Sequence, residues 1–143
     1  MSKLFTPCFL RLLLTGLTAA AAAEQPESSR VYIYDMSPAV RMNPVFCDGV
    51  KVAQIRRNRF FAVNLTPGEH SFSGRRRAEQ ITLDLAAGKT YYLRLDQVIS
   101  YPTGYEKLTR QRAEDAGPVI NTLGAIEQKD IFDAAHVTLV RPE

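Results

Sequence analysis

The chain has 143 residues, room for one domain of ordinary size, with 45% hydrophobic and 23% charged residues. Its formal net charge of +3 includes Lys3 and Arg11; without these two, the 18 basic residues become 16 against 15 acids, too even a balance for a nucleic-acid binder. Two cysteines and two histidines exclude a disulfide-stapled scaffold and any C-x-x-C or H-x-x-x-H metal spacing.

Residues 1–23 carry Lys3 and Arg11, an apolar run over 12–17 and small residues over 19–23. That order of charge, apolar core and small-residue exit predicts a secretory signal peptide cleaved after Ala23. The apolar run is well short of the roughly 20 residues a bilayer span needs. The expected mature protein is therefore periplasmic or secreted and soluble, with no transmembrane segment. Cys8 precedes the apolar run and lacks the small neighbours of a lipoprotein cleavage site, so it is not read as a lipid attachment point. Cys47 is then the only mature cysteine, expected to be buried as a small apolar residue.

Residues 24–30 (EQPESSR) read as a flexible leader, and 31–143 as the folded domain. The β-branched and aromatic run 31–35 (VYIYD) predicts a strand. After a loop around Ser37-Pro38, 44–47 and 50–55 form a hairpin about Asp48-Gly49, a pair suited to a type I′ turn with positive φ at both central positions. The turn at 56–59 uses Asn58, which tolerates positive φ. In strand 60–65, Phe61, Val63 and Leu65 point one way and Ala62 and Asn64 the other. Thr66-Pro67-Gly68 turns the chain into strand 69–74, and 75–78 reverses it again. Ile81, Leu83 and Leu85 alternate with polar residues; after Ala86-Ala87-Gly88 comes the longest strand, 89–98, with Tyr91, Leu93 and Leu95 inward and Tyr92, Arg94 and Asp96 outward. A further strand is read at 105–110. Ile120, Leu123 and Ile126 fall at helical spacing behind Pro118, which predicts a short amphipathic helix over 118–128. Residues 137–140 (VTLV) suggest a closing strand. Turn signals every 8 to 12 residues, with alternating faces between them, make the expected fold mainly β: a small antiparallel β-sandwich with a short C-terminal amphipathic helix.

The aromatic strand Val31-Tyr32-Ile33-Tyr34, the Asp48-Gly49 hairpin, the Leu65-Thr66-Pro67-Gly68-Glu69-His70 turn and Ala87-Gly88-Lys89-Thr90-Tyr91-Tyr92 occur in that order. In this series the chain resembles a bacterial envelope β-sandwich family catalogued as a domain of unknown function. It is more distantly similar to PEGA domains, whose proline-glycine turn occupies the same place. The likeness spans about residues 30–95. It implies a β-sandwich exported to the periplasm or outer surface, and carries no catalytic residue over to this chain.

His70, after the proline-glycine turn, is read as a packing or turn residue, and no metal or cofactor is expected. Cys47 and His70 could meet across neighbouring strands, but a nucleophilic cysteine needs a lowered pKa and an oxyanion site, and neither is visible around Cys47-Asp48-Gly49. No G-x-S-x-G and no phosphate-binding glycine loop occurs. The arginine runs carry the sharper expectation. If the strands run up and down, the turns holding Arg56, Arg57 and Arg59 and those holding Arg75, Arg76 and Arg77 gather at one end, with Arg41 and the Tyr101 loop within reach. Guanidiniums there would suit phosphate or carboxylate groups. The plainer reading is a solvated loop surface. The expected function is a non-enzymatic envelope interaction module that binds an envelope protein or an anionic envelope component. The alternatives are a structural subunit of an envelope assembly or a small periplasmic hydrolase.

Overall fold

The computed structural model describes residues 27–143; the expected signal peptide over 1–23 lies outside them. Ten strands and one α-helix follow in the order β1 (Ser29–Asp35), β2 (Asn43–Cys47), β3 (Val50–Ile55), β4 (Arg59–Leu65), β5 (Gly68–Ser73), β6 (Ile81–Leu85), β7 (Thr90–Val98), β8 (Tyr105–Gln111), α1 (Ala113–Ile120), β9 (Gly124–Ala125) and β10 (Val137–Thr138). β1 starts at Ser29, so the last two residues of the expected leader are strand rather than free chain.

Two sheets stack as the alternating pattern requires. One has the order β10-β4-β1-β7-β8 with β9 also on β4; the other runs β3-β2-β5-β6. Between them lie Val31, Ile33, Phe61, Val63, Leu93 and Leu95 from the first sheet and Val45, Val52, Phe72, Leu83 and Leu85 from the second. Each fully buried side chain of this size contributes roughly 1.5–3 kcal/mol by leaving water. The connectivity is not a simple up-and-down run. The chain crosses between sheets after β1, β3, β4 and β6, and β1 pairs with β7 in parallel, Asp35 opposite Leu95.

The helix lies elsewhere than the sequence spacing indicates. It occupies Ala113–Ile120, with Pro118 inside it, while 118–128 passes from its last turn through β9 towards a 3-10 turn at Gln128–Asp130. Glu114 and Asp115 in the first turn suit the positive end of the helix dipole. Ile120 and Leu123 pack in a second apolar cluster on the outer face of the first sheet, with Tyr32, Tyr34, Phe60, Ala62, Tyr92 and Ala116. Ile126 belongs to the core between the sheets. The three residues that suggested one helical face therefore serve two different cores. For the same reason Tyr92 and Ala62, read as outward residues of half-buried strands, are buried under α1.

The tail closes one side of the sandwich. Ala53 of β3 bridges Ile131, the Phe132 and Asp133 amides donate to the Val52 carbonyl at 2.9 and 3.0 Å, and β10 then pairs with β4. Residues 131–138 thus join the edge strands of both sheets.

Candidate functional site

One end of the sandwich is assembled around Asp35, a fully buried carboxylate at the end of β1. It accepts the Ser37 amide at 2.7 Å and faces Asn43 Nδ2 at 3.5 Å, while its carbonyl accepts the Asn58 amide at 2.7 Å. The 36–42 loop, the start of β2 and the 56–58 turn are thereby tied to one point. The 99–104 loop leaves the same end, because β7 runs parallel to β1 and turns back into β8 beyond Val98.

The sequence-predicted arginines divide here. Arg75 Nη2 donates to the Met42 carbonyl at 3.3 Å, and Asn43, the next residue, pairs with Ile55 just before Arg56; both runs thus leave the sheets at the Asp35 end. They do not form one cluster of six free guanidiniums. Arg56 pairs with Glu127 at 3.0 Å, and the Arg59 guanidinium lies over Gly124, in the space a Cβ there would take. Glu127 also pairs with Lys129 at 2.9 Å; that hydrogen bond and charge, with the Arg56 and Arg59 charges, hold its carboxyl below the usual range. Arg56 and Arg59 therefore fasten the 124–130 segment to the sandwich. Arg77 turns away, stacking 4.8 Å over the Phe46 ring and reaching the Gly49 carbonyl at 3.4 Å on the far hairpin.

Arg57, Arg75 and Arg76 are left as exposed charges of this end. Arg57 reaches the Pro38 carbonyl at 3.5 Å, and Arg76 stacks 4.5 Å over the Tyr105 ring. A cavity of about 300 Å³ is lined by Arg41, Arg75, Arg76, Gly104, Tyr105 and Glu106. The Arg41 guanidinium pairs with Glu106, whose side chain is buried at its wall. What the sequence reading missed is the apolar content of the adjoining loops. Met36, Val40, Ile99 and Tyr101 are 47%, 78%, 95% and 99% exposed. The signal was available in two apolar loop residues, Val40 and Ile99, that no strand period claims.

The opposite end holds a second cluster. Cys47, Asp48, His70, Asp133 and His136 line a cavity of about 300 Å³ together with Thr66 and Val50. His70 Nδ1 stands 2.6 Å from Asp48 Oδ2 and Nε2 2.7 Å from the Thr66 carbonyl; Cys47 Sγ is 3.8 Å from the same Oδ2. His136 Nδ1 meets Asp133 Oδ2 at 2.8 Å. The turn reading of His70 holds for the Thr66 contact, and the residue also comes beside Cys47, as their neighbouring strands allow, with the Asp48 carboxylate as its second partner. Partial burial alone would lower the His70 pKa, but the ring's hydrogen bonds to the Asp48 carboxylate and the Thr66 carbonyl, with the Asp48 charge, outweigh it and the value is raised. Burial likewise opposes ionisation of Asp48, yet His70 and the Ser71 amide bring its pKa below the ordinary range. The Cys47 thiol is pushed up to about 12 by burial and by the Asp48 charge beside it. That is the reverse of nucleophile activation, which needs a thiolate near neutral pH.

A model of the family described as "Protein of unknown function (DUF2846)" matches residues 25–106. The chain belongs to the DUF2846 family. The matched span runs from β1 to the start of β8 and includes Asp48, His70 and both arginine runs, while α1, β9 and β10 lie beyond it. No curated protein and no solved structure matches the chain. Among the described residues no helix is long and apolar enough to cross a membrane.

Proposed function

We propose that this DUF2846 protein is a non-enzymatic envelope module that docks on an anionic lipid surface through its Asp35 end. The observation that carries the reading is the pairing of exposed apolar side chains, Val40, Ile99 and Tyr101, with Arg41, Arg57, Arg75 and Arg76 on adjoining loops of one end. Apolar tips enter the headgroup boundary, while guanidiniums take phosphate oxygens with a planar fork that Lys lacks. Each basic residue near an anionic surface contributes about 1 kcal/mol. The signal-like residues 1–23 and the likeness to exported β-sandwich and PEGA-type domains support an envelope location.

Sedimentation of the chain from Glu24 onward with phosphatidylglycerol and with phosphatidylcholine vesicles tests this. The expected result is salt-sensitive binding to the anionic vesicles, weakened roughly 30-fold by the double substitution R75Q/R76Q, the equivalent of about 2 kcal/mol. The I99S/Y101S pair is expected to weaken binding without changing its salt dependence. Equal, salt-insensitive binding to both vesicle types removes the proposal. Capture by an envelope protein in the absence of vesicle binding replaces it with the structural-subunit reading.

A further inference from the structure

The hairpin end, remote from the arginines, presents a set of donor atoms that an interaction surface does not require. The Asp48 amide donates to the Ser71 carbonyl at 2.8 Å and the Ser71 amide returns a bond to Asp48 Oδ1 at 2.9 Å. This clamp fixes the carboxylate and turns Oδ2 towards His70 and Cys47. His70 is fixed from behind: the Thr66 carbonyl can only accept, so Nε2 carries a proton. Nδ1 then faces a carboxylate oxygen at 2.6 Å, and a neutral ring would set two acceptors against each other. A cation has to lie between them, either a second proton on the ring or a metal ion.

We infer that Cys47, Asp48 and His70 form a zinc-type metal site, with Cys47 Sγ, Asp48 Oδ2 and His70 Nδ1 as its ligand atoms. The three residues offer ligand atoms that all lie within 4.8 Å of one another. A four-coordinate zinc with bonds of roughly 2.0–2.3 Å sets its ligand atoms roughly 3.3–3.8 Å apart, so modest side-chain rotation closes the site. A sulfur, a nitrogen and an oxygen together suit a borderline ion and not calcium or magnesium, which take oxygen alone. The Nε2–H bond to Thr66 is the outer contact that metal-binding histidines carry, and Ser71 plays that part for the carboxylate. Asp133 and His136, already paired with each other, line the same cavity as the three ligands. On binding, the ion replaces the Cys47 thiol proton and any proton on His70 Nδ1, and both leave to solvent.

Cobalt(II) tests the site optically. The full chain carrying C8S, which leaves Cys47 as its one thiol, is stripped with chelator and titrated with cobalt chloride and then zinc chloride. The expected result is a thiolate-to-cobalt charge-transfer band that saturates at a single ion per chain and is abolished by zinc. C47S loses the band, and H70Q and D48N each weaken binding at least roughly tenfold. Asn at position 48 keeps the hairpin turn, and circular dichroism of the metal-free variants checks their fold; should D48N misfold, H70Q alone decides. Absence of the band overturns the site, as does a band whose affinity is unchanged in H70Q, which would mean an ion held by the thiol alone.

Discussion

Asp48 and Gly49 sit at φ of 50° and 79°, the mirror-image turn that lets β2 and β3 keep their right-handed twist. Left-handed backbone costs a residue with a Cβ about 1–2 kcal/mol unless it is Asn or Asp. Gly49→Ala meets no atom within 4 Å, so conformational strain is its only penalty, and urea unfolding is expected to show a loss of about 1 kcal/mol. The Asp48–His70 pair gives a second, pH-dependent expectation for the metal-free protein. The His70 pKa is raised above 6.5, so its stabilisation is complete below 6.5 and disappears as pH climbs through the folded value. The Asp48 pKa is depressed below 3.8, so its share is complete above 3.8 and disappears as pH falls through the folded value. The stability difference between the parent chain and H70Q in chelator is therefore expected to be largest between 3.8 and 6.5 and to shrink on both sides. A difference that stays flat across the pH range would mean that the pair does not hold the turn.

At the scale of elements, the strands were readable because glycine, proline and asparagine mark their ends. β3 and β6 fall on the expected residues, and Asn58 takes the positive φ its turn requires. The helix was not readable from spacing alone. Ile120, Leu123 and Ile126 imitate one helical face, while the sheet above which α1 lies supplies the real reason for its position: a patch of Tyr32, Tyr34, Phe60 and Tyr92 that must be covered. Period-2 alternation marks one buried face and cannot announce that the other is buried too. Ile120 is fully enclosed in this outer core, so Ile120→Ala is expected to lower stability by about 2–5 kcal/mol, measured by denaturant unfolding. Val119→Ala, on a side chain only partly buried against that cluster, is expected to cost much less.

Across the whole molecule, the repeated crossing of the chain between sheets puts unlike chemistry at the two ends. Connectors at the Asp35 end carry Arg41, Arg57, Arg75 and Arg76, while the hairpin end gathers Cys47, Asp48 and His70 with the tail residues Asp133 and His136. The arginine grouping was partly legible, since alternating turns assign the runs to an end. The diversion of Arg56 and Arg59 to the 124–130 segment was not, because Glu127, which pairs with Arg56, and Gly124, which lies under Arg59, are far along the chain from both. The approach of Cys47 and His70 was legible from their neighbouring strands, but the arrival of Asp133 and His136 beside them was not, because these tail residues come only after the chain has bridged β3 and β4. β2 links the two ends, and its five residues at about 3.4 Å each separate them by roughly 17 Å. Sites that far apart and without shared partners change independently. D48N is thus expected to leave anionic-vesicle affinity within about twofold of the parent chain, and R75Q/R76Q to leave cobalt affinity equally unchanged. The double-end variant is expected to show the sum of the two single effects in parallel vesicle and cobalt titrations. A coupling larger than about 0.5 kcal/mol between them would mean that the sandwich transmits metal occupancy to the arginine loops, and the two ends would then have to be treated as one device.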